Sequence, residues 1–421
     1  MDDTSGEANE PRQTAAAKAR ASVHRGVHSR TVYHSRRILT PLRVLIVVAL
    51  LAGTGTVASL GALKRVGSHA VTTCNVDAVL AKWSLTKLAN QTIVVPAQET
   101  DVLALAPAAK AGYGGMILFG TSAPSNIGQG LITLRRDVPG HLGWLVMTDE
   151  EGGGVQRMAN LVGNMPWASQ MGATMTPAQI QTLARSVAAK MSFNGVNMDL
   201  APVVDVDGRA VYPGPSDPDG YRSFSGKTSV VTADGVAFMQ GMIQGAVVPV
   251  VKHFPGLGGV SQNTDDGPAY TLPWKELQSV ALPPFEAAIR AGAPAIMVSN
   301  AWVPDLTAGR PASISHVAVT AILRDVLHFK GLLITDSLSA GAIADAPLSL
   351  SVTKASVEAI EAGEDMVLYN SSGSTSADLA EAVNISKAIV SAVNSKAISQ
   401  ATLIAAAAEV LAAKKINVCA T

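Results

Sequence analysis

Eight short apolar runs set the strongest constraint on how this chain folds. They lie at residues 92–95, 116–119, 144–147, 196–200, 247–251, 295–298, 332–334 and 366–368. Taken as a set they lack the period-two alternation of half-solvated strands, and so suit parallel strands covered on both faces. A polar or Gly-rich loop follows each run. Ala-rich helical stretches lie between them, as at residues 176–193, 228–244, 283–292 and 351–363, and residues 375–396 and 398–415 close the series. Strands and helices in alternation mean an α/β fold. Eight such units in about 340 residues predict a (β/α)8 barrel of TIM type with enlarged loops. An open doubly wound sheet is the alternative, but it usually carries a glycine fingerprint after its first strand. Here Val94-Val95-Pro96-Ala97 stands there instead.

The 421 residues are 48% hydrophobic and 15% charged, which excludes disorder for most of the chain. Lys+Arg and Asp+Glu number 32 each, a balance that argues against a general nucleic-acid binder. The balance hides an asymmetry. Residues 1–43 hold eight basic side chains against four acidic ones and show no apolar period, so they read as a disordered basic tail. Residues 44–63 are free of charge and long enough to span a bilayer. No other apolar run approaches that length, which argues against a multi-pass protein. The basic excess before it predicts a cytoplasmic N-terminus, a single-pass anchor in the cell membrane and an extracytoplasmic catalytic portion. A cleaved signal sequence is the alternative, with Thr56-Val57-Ala58 as its small-residue site and a secreted product. Residues 74–421 then form one barrel domain. Cys74 and Cys419, the two cysteines present, lie near its ends, and outside the cytoplasm they are expected to form a disulfide; two unpaired thiols are the other reading.

Chemistry in a barrel collects at the C-terminal ends of its strands. Those positions hold Asp149-Glu150-Glu151, Asp205, Lys252-His253, Ser299-Asn300, Thr335-Asp336-Ser337 and Tyr369-Asn370, with Tyr221-Arg222 just before the fifth run. Carboxylates that accept from hydroxyls, beside cations that donate to them, suit a neutral polyhydroxyl ligand. Paired histidines at metal-ligand spacing are absent from these ends, so neither a metal nor an organic cofactor is expected.

Five motifs resemble glycoside hydrolase family 3, in its single-barrel β-N-acetylglucosaminidase branch. Residues 149–157 (DEEGGGVQR), 200–206 (LAPVVDV), 220–224 (GYRSF), 252–258 (KHFPGLG) and 334–338 (ITDSL) occur in the family's order and spacing. The resemblance implies a retaining β-glycosidase in which Asp336 is the nucleophile and forms a covalent glycosyl-enzyme. It implies that Asp149, Arg222, Lys252 and His253 bind the nonreducing sugar. The substrate it implies is terminal β-linked N-acetylglucosamine on peptidoglycan-type wall fragments; a β-glucosidase-type specificity is the alternative.

The chain departs from the branch at its general acid/base. The branch places an Asp-Ser-His triplet on a mobile loop, where this chain has Asn263-Thr264-Asp265, and Leu257 replaces a motif histidine. Asp265, or adjacent Asp266, is expected to serve as the acid/base with a raised pKa. A wall-glycan-binding pseudoenzyme is the competing reading. A third holds that the two acids only stabilise the turn Asp265-Asp266-Gly267-Pro268.

Overall fold

In a computed structural model, residues 74–419 are described. The tail and anchor expected over residues 1–63 lie outside them. No helix among the described residues is long and apolar enough to cross a membrane.

Seven parallel strands form one sheet in chain order. They are β1 (Val94–Gln98), β2 (Gly115–Phe119), β3 (Leu145–Thr148), β4 (Met198–Asp199), β5 (Val248–Phe254), β6 (Ala295–Val298) and β7 (Leu332–Thr335). The sheet curls until its edges meet on the eighth apolar run. Ile334 bridges Met366, and Ile93 bridges Val367, both parallel. Val367 N–H donates to Thr92 O at 2.8 Å, and Val94 N–H to Val367 O at 3.0 Å. The result is a barrel-like parallel sheet. Three runs differ from expectation. The eighth makes only isolated bridges at Met366 and Val367 instead of a strand. The fourth shrinks to two paired residues, its Asn197 side chain accepting from Val146 N–H at 2.7 Å. The fifth extends through Lys252 and His253 to Phe254.

Side-chain alternation along each strand builds two apolar layers. Val94, Ile117, Leu145, Met147, Val250, Met297 and Ile334 pack inside the curl. Val95, Met116, Leu118, Val146, Val251, Ile296 and Leu333 face the helices. Those helices include α1 (Pro177–Phe193), α2 (Thr228–Gln244), α3 (Leu282–Arg290), α4 (Val352–Ala362), α5 (Thr375–Asn394) and α6 (Gln400–Ala413). Their starts follow local chemistry. Thr176 and Gln179 form a capping box ahead of α1, while Ser351 and Ser399 cap α4 and α6. Val410 of α6 joins the inner layer. Cys74 and Cys419 are disulfide-bonded with their Cα atoms 5.9 Å apart, as expected.

Candidate active site

A cavity of about 560 Å³ opens where the parallel strands end. Gln98, Phe119, Asp149, Leu200, Lys252, Met297, Asp336 and Leu368 each come from the C-terminal end of a different strand or run, and all line it. The six site residues expected from sequence, Asp149, Arg222, Lys252, His253, Asp265 and Asp336, all line the same cavity. Asp266 is not among its lining residues, and neither are Ser299 and Asn300. Asn300 is buried behind the site, donating to Ser337 O at 2.6 Å and accepting from Ser313 Oγ at 2.6 Å. It thereby braces the turn that follows Asp336.

After β3 the chain enters a short ribbon, Glu150–Gly152 paired antiparallel with Val155–Gln156. Alternation there sends Asp149 and Glu151 to the cavity and Glu150 behind it. Glu150 accepts from Gln156 Nε2 at 2.9 Å, from Arg157 N–H at 2.8 Å and from Met158 N–H. Burial pushes Glu150 up to about 7 against those hydrogen bonds. In β5 the pairing with β6 shifts register between Val251 and Phe254, and adjacent Lys252 and His253 both reach the cavity.

These groups form one connected chain of charge. Lys252 Nζ lies 2.8 Å from Asp149 Oδ1 and 2.6 Å from Glu151 Oε1. Arg222 grips Glu151 in bidentate fashion, Nε to Oε2 at 2.7 Å and Nη2 to Oε1 at 2.9 Å. Lys252 and Glu151 are 2% and 5% exposed, so neither charge is tolerable there without the other. Burial opposes the charge on Glu151, but Arg222 and Lys252 outweigh it and hold the carboxyl well below its usual range. Arg222 Nη2 lies 3.4 Å from His253 Nε2, and His253 Nδ1 lies 2.7 Å from Asp205 Oδ2. Arg222 can only donate, so this pattern puts the imidazole proton on Nδ1. Asp205 also accepts from Leu257 N–H at 2.7 Å, which ties the KHFPGLG segment to the neighbouring strand end.

Glu151 carries this network, yet the sequence reading gave it no role. Its signal was its place two residues after Asp149 in the same motif. Asp219 was also missed. It is fully buried, both its oxygens lack a partner among the described residues, and burial raises it well above the carboxylate range. Asp205, Asp219 and His253 place ligand atoms within 4.8 Å of one another and could hold a cation. A cation there would have to displace the Nδ1 proton that His253 shares with Asp205.

Asp336 follows β7 directly, its N–H donating to Val298 O at 2.9 Å and its Oδ1 accepting from Ser337 N–H at 2.8 Å. The loop bearing Asp265 is docked at the mouth. Gly341 N–H donates to Asp265 O at 3.0 Å, Ala342 N–H to Thr264 O at 2.9 Å, and Asn263 N–H to Pro215 O at 2.7 Å. Gly341 permits this closeness: a Cβ there would stand 2.7 Å from Gly267 N and 2.9 Å from Asp265 O. Asp265 as a residue is exposed, yet its carboxyl is pushed up to about 6, first by lost hydration and next by the charge of Asp336. The cavity therefore pairs two acids of unequal environment beside a polar network suited to hydroxyl groups.

Comparison with known proteins agrees with this layout. Residues 95–413 match the glycosyl hydrolase family 3 N terminal domain. Beta-hexosaminidase LpqI of Mycobacterium tuberculosis is 34% identical over 262 residues, 61% of this chain and 66% of the relative. An uncharacterized secreted glycosyl hydrolase of Arthroderma benhamiae is 36% identical over 243 residues, 55% of this chain and 66% of the relative. The match thus spans just under two thirds of the length of either relative. The crystal structure of beta-N-acetylhexosaminidase from Beutenbergia cavernae superposes with a TM-score of 0.70 at 30% identity, covering 80% of this chain and 100% of that one. The family match runs from the first strand of the curled sheet to its last helix, and the chain belongs to glycosyl hydrolase family 3.

Proposed function

We propose that this protein is a (β/α)8-barrel exo-β-N-acetylhexosaminidase acting with retention. The observation that carries the reading is the shared cavity of Asp336 and Asp265, with the acid of raised pKa facing the network of Asp149, Glu151, Lys252, Arg222 and His253. The network would bind the hydroxyls of a terminal sugar and turn its anomeric carbon toward Asp336. Asp336 attacks that carbon while Asp265 protonates the departing glycosidic oxygen. Asp265, now a carboxylate, takes a proton from water, whose oxygen displaces Asp336 and restores the enzyme with the β configuration. Asp265 serves in place of the histidine expected in this branch; Asp266, beside it, does not line the cavity.

The names of the relatives support a hexosaminidase rather than a glucosidase, and the word "secreted" in one of them supports an extracytoplasmic site of action. Terminal β-linked N-acetylglucosamine on wall-glycan fragments is the substrate we infer, with residues 44–63 holding the enzyme to the membrane. The test is turnover of a panel of aryl β-glycosides by the full chain and by Asp336→Asn. N-acetylglucosaminide turnover should dominate and should be lost in the variant. Unchanged turnover in Asp336→Asn would sink the mechanism. Glycan binding without turnover by the unmutated chain would favour the pseudoenzyme reading, which rests on the missing histidine.

A further inference from the structure

Aromatic residues make up only 4% of this chain, yet three of them cluster outside the core on segments that adjoin cavity-lining residues, without lining the cavity themselves. The rings of Tyr212 and Tyr221 meet edge to face at 5.1 Å, and Trp167 stands 6.0 Å from Tyr212 and 6.1 Å from Tyr221. Each belongs to a segment that borders the cavity. Tyr212 precedes the lining residues Pro213 and Gly214, and Tyr221 precedes Arg222. The Trp167 ring lies over Gly153 and Gly154, next to the lining residue Val155. A Cβ on Gly153 would come within 2.0 Å of that ring, so the tryptophan is seated in space that only glycine leaves open.

The cluster is held in place before any ligand arrives. Arg209 spans Asp207 and Asp217 at 2.7 and 2.8 Å, closing the insertion that carries Tyr212. Tyr221 N–H donates to Val211 O at 2.9 Å, and Pro215 O accepts from the Asp265-bearing loop through Asn263 N–H. Tyr212 nevertheless remains 73% exposed. A fixed aromatic surface in water beside a polar sugar cavity matches the C–H face of a second pyranose ring, and its order lowers the entropic cost of binding.

We propose that Trp167, Tyr212 and Tyr221 form a platform for the sugar on the leaving-group side of the scissile bond. The inference rests on the glycosidase reading for its ligand, but its test does not need turnover. The full chain carrying Asp336→Asn would be titrated calorimetrically with N-acetylglucosamine and with its β-1,4-linked disaccharide. The disaccharide should bind about 2–10-fold tighter, the usual worth of an aromatic contact. Adding Tyr212→Ala should erase that advantage and leave monosaccharide affinity unchanged, whereas Tyr212→Phe should preserve it. Equal affinity for the two sugars in Asp336→Asn overturns the platform, as does an advantage that survives Tyr212→Ala or vanishes in Tyr212→Phe. If the unmutated chain shows the Tyr212-dependent preference but hydrolyses nothing, the catalytic reading fails and the platform stands. Hydrolysis with no such preference has the opposite meaning.

Discussion

Asp265→Asn removes a titratable proton from the cavity while leaving its shape nearly unchanged. The carboxyl is pushed up to about 6, so it acts as an acid only on the low-pH side of that value. Disaccharide kcat/KM, which reports the free enzyme, should fall about tenfold for each pH unit above 6. At pH 8 roughly 1% of Asp265 remains protonated, which places kcat/KM about 100-fold below its low-pH plateau. The asparagine variant should lose this limb and fall about 10²–10⁴-fold on the plateau. An aryl glycoside with a good leaving group needs little protonation, and its glycosylation step should be far less affected. Asp266→Asn should keep the limb, because Asp266 does not line the cavity. Paired pH profiles for the two substrates and three proteins make the measurement. If Asp265→Asn hydrolyses the disaccharide with the limb intact, the acid assignment is wrong; if Asp266→Asn erases the limb, the neighbouring carboxyl is the acid.

Two further outcomes follow from the buried charges and the disulfide. Glu151→Gln leaves half-buried Arg222 without its bidentate partner and buried Lys252 with Asp149 alone, and should destabilise the fold by about 3–5 kcal/mol in urea titrations. Burial raises the carboxyl of Glu151, but its ion pairs with Arg222 and Lys252 outweigh that and leave the folded pKa below the unfolded one, so its contribution is present above about pH 4.3 and fades on acidification; the variant's stability should be correspondingly less acid-sensitive. Reducing the Cys74–Cys419 bond, whose sequence separation is 345, should cost up to about 5–6 kcal/mol. An unchanged urea midpoint after complete reduction would refute a stabilising role for the clasp.

The sheet was legible because strands buried on both faces are written as apolar runs, and strand ends mark where polar residues gather. That logic located Asp149, Lys252 and Asp336 without any knowledge of contacts. It overextended the fourth run, where Asn197 spends its side chain on the Val146 backbone. It stopped the fifth run too early, since Lys252 and His253 continue the strand as polar residues. Glu151, though seen at a strand end, was given no role for a different reason. Its partners lie 71 and 101 positions away, one in the insertion before the fifth strand and one within that strand, and only the fold brings them together. The aromatic cluster escaped likewise, being assembled from positions 167, 212 and 221 on separate segments. The seat of the Asp265 loop on Gly341, where a methyl group would not fit, is likewise visible only once the chain is folded.

The bond between Cys74 and Cys419 also sets a load path. Tension applied between the segment before Cys74 and the chain's end passes through two sulfur atoms and leaves the strands unstretched. Anything pulling on the enzyme through those two ends would therefore meet a covalent short circuit. Once the bond is reduced, the same pull runs through the helices next to it, Val76–Leu80 and Gln400–Ala413, and peels the fold from its two ends inward. Single-molecule extension under oxidising and reducing conditions would show the difference directly, as a short inextensible tether in one case and a long unfolding trace in the other.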